Sequence, residues 1–150
     1  MKTINLFKNA EKFSRAFSLF EKYITKNDFC FGVNNLDIKT IDFKVFKSFL
    51  YDFFEKNNIY VTVKAYDLTS NVKWHYVIEL ENNQINQDGF NERELAEYVA
   101  FIKCFQFLDT RLFIEYSKNR YIDETSDSSL LNVNWVHLNK VLNYKRKLLI

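Results

Sequence analysis

Between residues 59 and 81, apolar and polar positions alternate with a period of two. Ile59, Val61, Val63 and Ala65 fall on one side of an extended segment. After a turn at Leu68, Thr69, Ser70 and Asn71, the residues Val72, Trp74, Tyr76, Ile78 and Leu80 fall on one side of a second. Two facing rows of β-branched and aromatic residues predict an antiparallel hairpin with one buried face. A hairpin alone is marginal in water, so helices must cover it.

The rest of the chain supplies such helices, with a period near 3.6. Over residues 9–26, Phe13, Phe17, Phe20 and Ile24 form one stripe, with Lys12, Arg15, Lys22 and Lys26 mostly off it. A second helix, capped by Thr40 or Asp42, runs to about residue 56. Its stripe is Phe43, Phe46, Leu50 and Phe53, broadened by Phe49 and Phe54, and Asn57 with Asn58 ends it. A third starts at Asn91 as cap, with Glu94 completing a capping box and Phe90 stapling onto Leu95. Leu95, Val99, Ile102, Phe105 and Leu108 carry it to residue 109. The last begins at Asp127 or Ser128 and presents Leu131, Trp135, Leu138 and Leu142.

The connecting segments are polar. Residues 27–39 form a loop with room for a short strand at residues 29–33. Residues 82–89 form a surface loop rich in Asn with a final Gly89, and residues 119–129 form an exposed acidic loop. Residues 110–118 fit helix or strand equally. The expected fold is α+β: an antiparallel hairpin, extendable to three or four strands by residues 29–33 or 112–116, under about four amphipathic helices.

Composition adds little to the fold and something to the context. At 150 residues with no Pro/Gly/Ser-rich linker, a single domain over residues 1–150 is expected. Hydrophobic residues make up 47%, ample for a core; most of the 16 phenylalanines are expected in it, and so high a number raises the chance that some face a partner. Proline is absent and glycine occurs twice, while Asn and Lys abound. Codons rich in A and T produce that bias, which suggests a low-GC bacterium, its phage or a mobile element.

Charge is segregated although the net is only +2. Residues 1–27 carry six basic and two acidic groups, residues 82–109 two basic and five acidic, and residues 130–150 four basic and none acidic. Such ends suit nucleic acid or an acidic protein surface. Met1 to Phe7 contains no apolar secretory core and no run of about 18 apolar residues occurs, so the expectation is a cytoplasmic protein without a membrane span.

The chemical motifs are mostly missing. Cys30 and Cys104 have no redox or metal spacing. His75 and His137 belong to no nucleophile motif, and a Cys104–His75 pair would need tertiary proximity. Gly32 and Gly89 are isolated, which excludes Walker and dinucleotide loops. Glu92, Glu94 and Glu97 lack a matching histidine, and Asp123, Glu124 and Asp127 lack the glycine and terminal glutamate of a calcium loop. No catalytic residue, metal ligand or cofactor is therefore assigned.

Two binding readings remain beside a third, a small enzyme of unrecognised type. The first is a non-enzymatic interaction protein, a phage- or mobile-element-encoded inhibitor or modulator of a host defence or nucleic-acid-processing protein. Its contact residues would be the acidic helix start Glu92, Glu94 and Glu97 and the basic end Lys140, Lys145, Arg146 and Lys147. The second is direct binding of single-stranded nucleic acid, RNA above all, by Tyr60, Lys64, Tyr66, Lys73 and His75 on the hairpin's other face. Aromatics there could stack bases while lysines hold phosphates.

Overall fold

The computed structural model describes residues 5–27, 38–66 and 71–124, the last four through their backbone alone. The chain divides into two compact units, Met1–Asp109 and Thr110–Ile150. The first holds a three-stranded antiparallel sheet in the order β1-β2-β3: β1 Tyr60–Tyr66, β2 Lys73–Leu80 and β3 Asn83–Phe90. With four α-helices among the described residues, the fold is α+β.

The hairpin has the alternation expected of it. Val61 pairs with Ile78, Val63 with Tyr76 and Ala65 with Trp74, so the predicted apolar rows share one face. Tyr76 and Ile78 at its centre are buried. The other face pairs Tyr60 with Glu79, Thr62 with Val77, Lys64 with His75 and Tyr66 with Lys73.

The third strand corrects the sequence reading. The segment 82–89, expected to be a surface loop, instead supplies most of β3, Asn83–Phe90, after a two-residue turn at Glu81 and Asn82. Asn, Gln, Asp and Gly are poor strand formers, and the propensity argument failed for that reason. The neighbouring edge of β2 overrides it: Ile85 pairs with Ile78, and the remaining side chains can stay polar because most of an edge strand faces water. Near its end the register slips, Tyr76 facing Gln87 while Trp74 faces Phe90. The extra residue is accommodated by Gly89 at φ 88°. This bulge turns Phe90 onto the buried face, where its ring lies 5.8 Å from Tyr76. Residues 112–116, the other candidate strand, are helical, and residues 29–33 lie outside the described residues.

The first predicted helix is two. α1 is Leu6–Ala10 and α2 is Ser14–Lys26. Asn5 caps α1, its side chain accepting from Lys8 N at 3.0 Å. The residue before α2 is Phe13, which has no side-chain oxygen to offer. Asp109 Oδ1 accepts instead from Arg15 N (2.8 Å) and Ala16 N (3.1 Å), a cap delivered from far along the chain. Asp42 caps a 3₁₀ turn, Phe43–Phe46, by accepting from Lys44 N, and α3, Lys47–Lys56, follows. α3 ends as expected at Asn57 and Asn58. Asn58 adopts φ 56°, Asn58 N donates to Glu55 O and Ile59 N to Phe54 O, the paired bonds of a Schellman stop.

α4 is the long element, Arg93–Glu124. It begins at Arg93, one residue later than a cap at Asn91 would place it, and the Asn91 side-chain oxygen accepts from Lys73 Nζ. It continues through residues 110–124, past the end expected at residue 109 and into the segment read as an acidic loop. The predicted last helix lies outside the described residues.

The core of the first unit is built from phenylalanine rings. Phe20 of α2 stacks on Phe7 (5.7 Å) and meets Phe53 of α3 edge-on (5.1 Å) and Phe105 of α4 (5.8 Å). Phe54 meets Phe105 at 5.0 Å and stacks on Phe101 at 6.0 Å. Edge-on and offset contacts of this kind add about 0.5–1.5 kcal/mol each beyond area burial. No described phenylalanine is exposed and most are buried, as expected of core residues; the exposed aromatics among the described residues are Tyr60 and Tyr116.

Candidate interaction surface

The face of the sheet turned away from the phenylalanine core is the open surface. Tyr60, Thr62 and Lys64 of β1, Glu79 of β2, and Gln84 and Asn86 of β3 are all exposed on it. Tyr60 keeps 47% of its surface in contact with solvent. Lys64 forms no ion pair or hydrogen bond among the described residues.

Two other members of the predicted set have structural work. The Tyr66 ring packs edge-on to His75 at 5.5 Å, and its hydroxyl accepts from Gly89 N at 2.9 Å. Tyr66 thus crosses β2 and satisfies the amide that the bulge leaves without a strand partner. Lys73 donates to Asn91 at the head of α4. The five residues Tyr60, Lys64, Tyr66, Lys73 and His75 do share one face. Tyr60, Lys64 and His75 are the three whose polar groups make no hydrogen bond or ion pair among the described residues, His75 being held by its ring contact alone. Glu79 beside Tyr60 makes the field of this face mixed rather than basic.

The acidic helix start is divided. Glu92 is exposed. Glu94 pairs with Lys44 at 2.6 Å, an ion pair that holds the Lys44 ammonium above its ordinary pKa. Glu97 faces inward and is fully buried, so its carboxylate is not available to a partner. The 3.6-residue period leaves residues 94 and 97 about 60° apart in azimuth, enough to carry Glu97 under α3.

Around Glu97 lies a cluster that single-sequence reasoning missed. Arg93 Nε donates to Oε1 at 3.0 Å and Tyr51 OH donates to the same oxygen at 3.2 Å. Oε2 accepts no hydrogen bond of good geometry; its partner is the charge of Lys47, 2.6 Å away. Burial, and then the neighbouring Glu97 carboxylate, push the Tyr51 phenol far above its usual pKa. Arg93 also lies over the Trp74 ring at 5.6 Å, which ties the cluster to the sheet. The Arg93–Glu97 pair has the i,i+4 spacing that a sequence can show, but Lys47 and Tyr51 come from another helix, and no local pattern announces their arrival.

The imagined Cys104–His75 pair is not assembled. Cys104 is fully buried in α4 and acts on the Tyr76 side of the sheet, whereas His75 is on the opposite face of β2. Burial raises the Cys104 thiol pKa well above its ordinary value, which disfavours the nucleophilic thiolate. Among the described residues no group of three or more His, Cys, Asp or Glu could hold a metal ion, and no helix is long and apolar enough to cross a membrane. His137 and the basic set Lys140, Lys145, Arg146 and Lys147 lie outside the described residues.

With the α+β class thus defined by its sheet and helices, comparison with family models, curated proteins and solved structures finds no match.

Proposed function

We propose that this protein acts by binding a macromolecular partner through the open face of its sheet, without catalysis. The observation that carries the reading is the asymmetry of the sheet. On one face Tyr76, Ile78 and Phe90 are buried along β2 and the end of β3, while the other displays Tyr60, Thr62, Lys64 and His75 on a backbone fixed by the hairpin and the Tyr66–Gly89 contact. A rigid sheet with an exposed aromatic suits contact with a partner, since such side chains bury large area for little lost entropy. The partner is a host defence or nucleic-acid-processing protein, and the chain its modulator, of the kind encoded by phages and mobile elements of low-GC hosts. Of the acidic set at the head of α4, Glu92 is exposed and left to face a basic partner surface, Glu94 being paired with Lys44.

A second reading, single-stranded nucleic acid on the same face, is favoured by one arrangement: Lys64 lies opposite His75, between Tyr60 and Tyr66 along β1. One experiment separates the two. The tagged native chain and the Tyr60→Ala/Lys64→Ala variant are used to capture partners from a low-GC host lysate, with and without nuclease. A stoichiometric protein retained after nuclease and lost with the variant supports the first reading. Retention of nucleic acid alone, with binding that falls steeply with salt, moves the assignment to the second. Capture unaffected by the variant removes the open face from both.

A further inference from the structure

The outer edge of β1 has a second property that the open face does not explain. Among the described residues β1 pairs only with β2. Its inner row, Val61, Val63 and Ala65, is only partly covered or exposed, although Tyr76 and Ile78 directly beside Val63 and Val61 are buried. Among the described residues, burial on this face therefore falls off from β2 to β1. The opposite edge, β3, is guarded in the usual ways: polar side chains, Asp88 and the Gly89 bulge. β1 has no proline, no glycine, no bulge and a single charge, Lys64.

The order of side-chain types along β1 is symmetric about its centre: aromatic, apolar, polar, apolar, polar, apolar, aromatic, with tyrosine at both ends. Tyr60 mirrors Tyr66, Val61 mirrors Ala65, Thr62 mirrors Lys64, and Val63 is the centre. Antiparallel pairing of two copies about Val63 would set tyrosine against tyrosine, Val61 against Ala65, and Lys64 against Thr62. The one charge would face a hydroxyl and never its own copy, and each small apolar residue would gain the cover it lacks. This self-complementarity is what an isologous two-fold interface requires.

We propose that a second copy of this chain docks on the β1 edge, Val63 against Val63, joining two three-stranded sheets into one of six strands. The pairing is a contact between copies and does not depend on what binds the open face.

The test is sedimentation of the full native chain from micromolar to near-millimolar concentration. The native chain sediments as a reversible dimer of about twice its 18.1 kDa. Thr62→Lys, a change at an exposed position, places lysine opposite lysine at two symmetric sites and weakens the dimer about tenfold. Adding Lys64→Glu restores it, because the lysine introduced in one copy then faces the glutamate introduced in the other. In a Cys30→Ser background, Val63→Cys forms an intermolecular disulfide under mild oxidation, since directly opposed Cα atoms about 4.5–5.5 Å apart are within bonding reach. Thr62→Cys does not, because the two-residue offset separates the copies beyond about 7 Å. A native chain that stays monomeric over the whole range, or a dimer indifferent to Thr62→Lys and its charge swap, overturns the proposal.

Discussion

Removing the Lys47 ammonium should cost more than removing the carboxylate it serves. Lys47→Met keeps the apolar stem and deletes the charge. Glu97 is fully buried, and Lys47 is the sole partner of its Oε2 among the described residues, so the change leaves that oxygen buried without compensation. Breaking a fully buried pair costs about 3–5 kcal/mol, but the Lys47 side chain is 31% exposed and Arg93 with Tyr51 still hold Oε1, so about 2 kcal/mol is expected. Glu97→Met instead removes the buried charge. The freed cations of Lys47 and Arg93 are partly exposed and return to water, and Tyr51 loses one acceptor, for a net change of about 1 kcal/mol or less. In the Glu97→Met background, Lys47→Met should then cost close to nothing. Urea unfolding followed by circular dichroism reads all four proteins, with the midpoint moving and the slope constant. Lys47→Met should lower Tm by about 4–8 °C for a chain of this size. A Glu97→Met variant about 2 kcal/mol less stable than Lys47→Met, or a coupling below about 0.5 kcal/mol, would refute the buried-anion argument.

Three further outcomes follow from the same structure. Stability should fall as pH rises above the ordinary tyrosine value near 10: Tyr51 and Tyr76 have raised pKa values, mainly through burial, so the folded chain keeps protons that the unfolded chain releases. The stabilisation is whole below that pH and declines by up to about 1.4 kcal/mol per pH unit per tyrosine; Tyr51→Phe should flatten the alkaline limb of a pH series of thermal melts. Phe20→Ala, which removes the ring that meets Phe7, Phe53 and Phe105, should cost about 3–5 kcal/mol in the urea midpoint. Gly89→Ala meets no atom within 4 Å, so its cost of about 1–2 kcal/mol is backbone strain at φ 88° alone; a variant as stable as the parent in a thermal melt would argue that the bulge relaxes.

What the linear pattern determined about this protein is the set of elements whose signals are local. Which face each side chain of β1 and β2 takes follows from a period of two, because a one-residue slip would turn every buried side chain outward. The end of α3 follows from Asn57 and Asn58, because asparagine tolerates the left-handed conformation that stops the helix. The membership of the open face followed from the same alternation, since side chains two apart cannot leave it. Three features were decided only in three dimensions. β3 exists because the edge of β2 offers backbone partners to a segment with poor strand propensity. The break before α2 is set by Asp109, a cap supplied from α4. Glu97, whose charge and position in the first turns of a helix suggested a solvated acid, is buried because Lys47 and Tyr51 of α3 come to meet it. Local periodicity specifies which way a side chain points from its own element; which other element waits there, and whether it carries a charge, a ring or nothing, belongs to the packing of the whole.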